Sequence, residues 1–272
     1  MLTFLTVEKA ESKLLPLRHK IYTELKTSGG IQVKYIKCIH RRGKIPYEKI
    51  RRISENQSDC LLTKEDLILP QESKLRRFYS AELSERLCLN MTIAVLKELK
   101  ASSDNIKVAV FDPEARIADG VGAILKFTQN LTVVTRMTGV YGAEAERIMN
   151  ESGAVLNVSR RMKSLENAKL VVAPYKLKTQ LPLGKDAVIL TVAPSAVSQK
   201  GTVYYRYYFT LSEDLKSLLP QGFDAEYFSS ALYSLLGRFD LGSIVPQATK
   251  GDFNTHTLVS LNKYLTNICR NA

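Results

Sequence analysis

The residues best suited to chemistry in this chain lie in one acidic turn and on a set of bases that follow it. The turn reads Phe111-Asp112-Pro113-Glu114-Ala115-Arg116-Ile117 and closes the apolar run IKVAVFD. Two further apolar runs end in Thr135-Arg136-Met137-Thr138 and Ser159-Arg160-Arg161, and two more in Ala173-Pro174-Tyr175 and Ala193-Pro194-Ser195. Paired carboxylates can exchange protons or hold a cation, and guanidinium groups grip phosphate or carboxylate through a planar fork. Proline at a strand end can wall a cleft, although it also simply stops a strand.

A turn that cradles a dinucleotide needs glycines, because the chain bends sharply and its amides approach a doubly charged pyrophosphate. The first two glycine positions here are Asp112 and Glu114. Two carboxylates facing a pyrophosphate cost about 1 kcal/mol each at ~4 Å even in water, and their side chains keep the backbone away. Gly120 and Gly122 come too late to help and fall inside the expected helix. The usual mode of dinucleotide binding is therefore expected to be lost. Asp112-Pro113-Glu114 also reads as a plain helix start, with an N-cap, a first-turn proline and an acid at the positive end of the dipole. That reading is preferred to a catalytic or metal role, since no third ligand accompanies the two acids.

The elements that must position these groups alternate. From Ile106 to Pro194 the chain reads strand IKVAVFD, helix EARIADGVGAILKF, strand LTVVTR, helix GAEAERIMNES, then strands AVLNVS, KLVVAP and DAVILTVAP. This pattern predicts an α/β fold, a Rossmann-like, mostly parallel sheet with helices on both faces. Residues 1–100 read as a smaller N-terminal α/β domain. LTFLTV is its first strand, ESKLLPLRHKIYTEL a helix broken by SGG, and IQVKYIKCIH a half-buried strand. RRGK is a turn, PYEKIRRISEN a helix, and SDCLLTK a strand. Ser80 is expected to cap a long connecting helix, SAELSERLCLNMTIAVLKELK, whose end near residue 100 marks the boundary with a second domain, 101–272. Beyond Pro194 the expectations are one aromatic strand, TVYYRYYFTL, and helices SEDLKSLL and DAEYFSSALYSLLG. A loop, GSIVPQATKGD, and a last amphipathic helix, THTLVSLNKYLTNICR, follow.

Of the 272 residues 45% are hydrophobic and 24% charged, ordinary values for a soluble globular protein. No apolar run approaches the roughly 20 residues of a membrane span, and the N-terminus lacks a signal-peptide pattern. Cys38, Cys60, Cys88 and Cys269, like His19, His40 and His256, are too scattered for a disulfide frame or a metal cage. The expected location is the cytoplasm, with no membrane partner.

The net charge of +12 is uneven. Lys37, Arg41, Arg42, Lys44, Lys49, Arg51 and Arg52 face only Glu48 within the stretch from Lys37 to Arg52. Such a cluster can meet nucleic acid, but no nucleic-acid motif frames it, and a solvated face is the preferred reading. Tyr204-Tyr205-Arg206-Tyr207-Tyr208-Phe209 puts aromatics on both faces of a strand. A buried strand or a subunit contact in a homo-oligomer explains it better than stacking on bases.

A small first domain, a connecting helix, a Rossmann half and a strand ending Thr135-Arg136-Met137-Thr138 resemble the shikimate-dehydrogenase type of two-domain NADP-dependent reductase. The resemblance covers residues 80 to 194 at the level of architecture. The family motif is Asn-Arg-Thr, so Arg136 alone carries over, and it implies contact with the 2′-phosphate of NADP. The family's catalytic Lys–Asp pair has no match in the first domain. The expectation is therefore a diverged protein that uses Asp112, Glu114, Thr135, Arg136, Thr138, Ser159, Arg160, Pro174 and Pro194 around its sheet edge. Its ligand is expected to be a small anion or a protein partner. An NADP-dependent oxidoreductase and a nucleic-acid-associated protein remain as alternatives, so the sequence leaves open whether the protein is an enzyme.

Overall fold

The computed structural model describes residues 1–10, 19–40, 45–99 and 106–270. The chain divides into two compact units, Met1–Ser80 with Thr210–Arg238, and Ala81–Phe209 with Phe239–Ala272.

The first unit is built on a mixed sheet of β1 (Leu2–Lys9), β2 (His19–Ser28), β3 (Ile31–His40) and β4 (Leu62–Thr63), in the order β2-β3-β1-β4. Strand β1 runs parallel to β3 and β4, and β2 is antiparallel to β3. Here the expected helix ESKLLPLRHKIYTEL is corrected. From His19 onward the chain is strand, while 11–18 lie outside the described residues, as does the expected turn Arg41–Lys44. The cause is the SGG breaker, which is a hairpin turn. Gly29 and Gly30 have φ of +54° and +74°, the pair of positive angles whose twist suits a two-residue hairpin. Pairing along all of β3 outweighs the helical tendency of KIYTEL.

Both faces of the inner strands β1 and β3 are covered over part of their length, while β2 is largely exposed. Leu5, Ile36 and Cys38 pack with Ile50 of α1 (Tyr47–Ser54), Leu61 and Leu75. On the other face the Phe4 ring meets Phe223 edge-on at 4.8 Å and Phe228 at 5.7 Å. Phe228 belongs to α6 (Ala225–Leu236), which follows α5 (Glu213–Leu218). Helix α6 has both expected ends. The Asp224 carboxylate accepts from the amides of Glu226 and Tyr227, and Gly237 takes a left-handed φ of +66°.

The second unit holds a wholly parallel sheet of six strands. These are β5 (Val108–Phe111), β6 (Leu131–Val134), β7 (Asn157–Ser159), β8 (Leu170–Ala173), β9 (Val188–Thr191) and β10 (Thr202–Tyr204). Their order is β10-β9-β8-β5-β6-β7, which read from the other edge is 3-2-1-4-5-6, the Rossmann order. Strands β5, β8 and β9 are buried at every position, as continuous apolar runs covered on both faces should be. On one side α2 (Glu82–Leu99) lies against β8 and β9 and is backed by α7 (Leu258–Arg270). On the other, Ala109, Phe111, Val171 and Ile189 meet Leu165, Leu177, Leu181 and Leu183 from the connections between strands. Helix α4 (Thr138–Ser152) joins β6 to β7. No helix among the described residues is long and apolar enough to cross a membrane.

Four expectations change in this unit. The helix after β5 shrinks to a single tight turn at Ala118–Gly120 and the four-residue α3 (Gly122–Leu125). The segment presses on α2 so closely that a Cβ on Gly120 would lie 2.4 Å from Leu89 Cδ2. The aromatic run is two strands rather than one. Strand β10 extends the parallel sheet, while β11 (Arg206–Tyr208) pairs with β12 (Ala248–Lys250), which pairs in turn with β13 (Thr255–Thr257), in a separate antiparallel sheet. Strands β12 and β13 arise where a loop and a helix start were expected; β12 is paired with the sequence-distant β11, and β13 folds back on β12 across residues 251–254. Finally, the division differs from a boundary near residue 100. Helix α2 buries Leu83, Leu87, Met91 and Val95 within the second unit, and Thr210–Arg238 returns to the first.

Candidate anion site at the carboxyl edge of the parallel sheet

The candidate groups converge because neighbouring strands end in register. Phe111 lies opposite Val134, and Val134 opposite Ser159. The ladder runs one step further, with the Asp112 amide donating to Val134 O and the Thr135 amide to Ser159 O, each at 3.0 Å. Strands lie about 4.8 Å apart, so Asp112, Arg136 and Arg160 leave three adjacent strand ends.

Asp112 does not face outward as a pyrophosphate-facing acid would. It is fully buried, and its Oδ2 accepts from the Ile117 amide at 3.0 Å and the Tyr141 hydroxyl at 2.7 Å. Its Oδ1 is buried without a hydrogen-bond partner. Burial, then the charge of Asp112, pushes the Tyr141 phenol far above its usual range, so it remains a donor at any ordinary pH. Asp112 is not the N-cap of a helix: its carboxylate holds the Ile117 amide across a turn, and neither Ala118–Gly120 nor α3 has a side-chain cap.

Glu114 is exposed and engaged by Arg116, whose Nε and Nη2 donate at 3.0 and 2.8 Å. That fork holds the Glu114 carboxyl below the usual carboxylate range, helped by Lys178 and Arg136 nearby. Arg116 also donates to Glu85 of α2 at 2.6 Å, and Arg86 grips Asp119 at 3.2 and 2.8 Å. Burial raises the Glu85 carboxyl despite Arg116. The turn is therefore fastened from inside by Asp112 and from outside by α2.

Arg136 projects from the end of β6 and is exposed. Thr135 is buried, and its Oγ1 accepts from the Met137 amide at 3.0 Å, fixing the bend into α4. Arg160 reaches across to donate to Thr138 Oγ1 at 3.0 Å, which ties the end of β7 to the start of α4. Ser159 is occupied by its own turn, accepting from the Arg161 amide at 3.1 Å and from Ser164 Oγ at 2.9 Å. Pro174 is buried beside Tyr175, whose ring meets Phe111 at 5.4 Å. Pro194 is exposed in a separate turn, where Ser195 Oγ donates to Val197 O at 2.7 Å. Asp112, Thr135, Arg136, Thr138, Ser159 and Arg160 are thus grouped along one rim, and Pro194 stands apart from that hydrogen-bonded set.

Sequence reasoning missed Tyr141 and α2's Glu85 and Arg86. Tyr141 and Ile148 are seven apart and both buried on α4, a helical spacing that marks its inner face. No sequence signal points to Glu85. In the first unit, Lys37 is paired with Glu8 at 2.9 Å, so one charge of the basic cluster has a partner. Lys49, Arg51 and Arg52 are on α1 and exposed, and Arg41, Arg42 and Lys44 lie outside the described residues.

No known family profile and no curated protein matches the chain. Among solved structures it is similar to a quinate dehydrogenase from Corynebacterium glutamicum in complex with NAD. The identity is 12%, over 71% of this chain and 80% of that one, with a TM-score of 0.31. A shikimate dehydrogenase in complex with NADP+ is 9% identical over 88% and 85% of the two chains, with a TM-score of 0.30. An ornithine transcarbamoylase from Giardia lamblia is 10% identical over 89% and 86%, with a TM-score of 0.34. The fold assignment rests on the strand order itself.

Proposed function

We propose that this chain is a Rossmann-like protein that binds a small anionic ligand or a protein partner at its carboxyl sheet edge, rather than a dinucleotide for hydride transfer. The observation that carries this reading is Asp112 Oδ2 accepting the Ile117 amide at 3.0 Å within a buried turn. Ile117 occupies the third glycine position of a dinucleotide turn, so the amide there is already satisfied by a carboxylate of the protein. A pyrophosphate above the turn would also meet the charge of Glu114. The helix whose N-terminus should attract that pyrophosphate is reduced to the four residues of α3. Arg136 and Arg160, at the ends of β6 and β7, supply positive charge on the same rim.

The test is a thermal-shift titration with NADPH, NADH, inorganic phosphate and citrate. The reading expects no stabilisation by either dinucleotide, and stabilisation by a small anion that disappears in Arg136→Ala. A ligand at 100 times its Kd adds about 2.7 kcal/mol, a shift of several degrees at this size. A shift of that size with NADPH would overturn the proposal. The second reading, an NADP-dependent reductase, draws on the exposed position of Arg136 after the second strand of the Rossmann order, where a 2′-phosphate can be met. On that reading Arg136→Ala removes an NADPH shift and spares an NADH one.

A further inference from the structure

Strand β2 is the outer strand of its sheet, paired with β3 on one side and with no other strand among the described residues. It is ten residues long and exposed at Lys20 and at every position from Tyr22 to Thr27, including 44% of Tyr22 and 58% of Leu25. Its register with β3 runs without a bulge from His19 opposite His40 to Ser28 opposite Ile31. A long, regular edge of this kind is a template for another strand.

The turn decides which backbone groups the edge offers. Ser28 and Ile31 flank the two-residue Gly29-Gly30 turn, so they form a hydrogen-bonded pair. Bonded and non-bonded pairs alternate along an antiparallel ladder. Lys20, Tyr22, Glu24 and Lys26 therefore bond inward to β3, and His19, Ile21, Thr23, Leu25 and Thr27 turn their N–H and C=O groups outward.

A second β2 can meet this edge about a two-fold axis normal to the sheet, and such an axis opposes only residues that share a face. A register centred on Tyr22 pairs residues 19–25 and sets Lys20 against Glu24 twice. A register centred on Leu25 pairs residues 22–28 and sets Glu24 against Lys26 twice, with Leu25 against Leu25. The two registers between them fail: centring on Thr23 opposes Lys20 to Lys26, and centring on Glu24 opposes two glutamates. In both favoured registers the charged residues fall at non-hydrogen-bonded positions, where side chains lie closest.

We infer that β2 is a homodimerisation edge, on which two copies of the chain pair antiparallel with Glu24 of each opposite a lysine of the other. Seven residues a side is well short of the 20–30 of a standard interface, so the dimer is weak and concentration-dependent.

Sedimentation of the purified full chain over a concentration series up to about 1 mM tests this. The wild type should show monomer–dimer exchange. Glu24→Lys, an exposed change, should weaken dimerisation about tenfold or more by turning both attractive pairs repulsive. Thr23→Pro removes an outward N–H and leaves the ladder with β3 intact, so it should abolish the dimer. The double change Lys20→Glu with Glu24→Lys restores dimerisation in the Tyr22-centred register, and Glu24→Lys with Lys26→Glu restores it in the Leu25-centred one. A monomer throughout overturns the inference. So does a dimer indifferent to Glu24→Lys, or one that neither charge swap restores. Should Thr23→Pro fail to fold, Glu24→Lys and the swaps still decide.

Discussion

The Tyr141 hydroxyl donates to Asp112 Oδ2 across 2.7 Å, with both residues fully shielded from solvent. This bond joins the first turn of the parallel sheet to the first turn of α4, and it keeps a carboxylate inside the position where a dinucleotide fold keeps glycine. Tyr141→Phe leaves that carboxylate with one partner fewer in a buried site. The expected cost is about 1–3 kcal/mol of stability, read as a lower urea midpoint at unchanged slope. An unchanged midpoint would mean that the turn does not depend on Tyr141.

Stability should fall at alkaline pH. Burial pushes the Tyr35 phenol up to about 12, with Glu24 adding to the effect, and burial also raises Tyr141, Tyr175 and Tyr204. A phenol whose folded pKa lies above its unfolded value of about 10 binds more protons when folded. Its contribution is fully present below pH 10 and is lost as the pH rises through the folded pKa. Unfolding free energies measured between pH 8 and pH 12 should therefore decline above about pH 10. Tyr35→Phe, which also gives up the 2.6 Å bond to Leu218 O, should make that decline shallower. An equally steep decline in the variant would remove Tyr35 as a cause.

Asp224 is a cap with two acceptor contacts, to the amides of Glu226 at 2.7 Å and Tyr227 at 3.4 Å. Asp224→Ala should lower stability by about 1 kcal/mol. Asp224→Asn should recover most of the loss, because the amide oxygen can still accept. A thermal melt of the three proteins separates capping from general surface charge.

Two glycines should respond in opposite directions. A Cβ on Gly251 would stand 2.0 Å from Val203 O, backbone that cannot retreat without parting β10 from its neighbours. Gly251→Ala should cost on the order of 1–3 kcal/mol, as overpacking does. Gly142, inside α4, has nothing within 4 Å of the point where an alanine methyl would stand, and Gly142→Ala should stabilise by about 0.5–1 kcal/mol. Denaturation of both variants against the parent checks the signs.

The parallel sheet was legible in the chain because its inner strands are covered on both faces and must be continuous apolar runs, as in VAVF, LVVA and VILT. The sequence likewise determined the ends of α6, since Asp224 and Gly237 act on amides and dihedrals a few residues away. It showed, too, that the glycine turn is absent. What it could not show were the elements decided by pairing and packing and not by their own residues. β2 is strand because the Gly29-Gly30 hairpin pairs it with β3 along its length, and β12 is strand because β11 lies on one side of it and β13 folds back on the other. The fate of Asp112 was of the same kind. Its position at a strand end was readable, but whether its carboxylate faced a ligand or turned inward depended on Tyr141, 29 residues along the chain. Local propensity acts over one or two turns, and the balance at such a residue is set by desolvation and by partners that only the folded chain brings together.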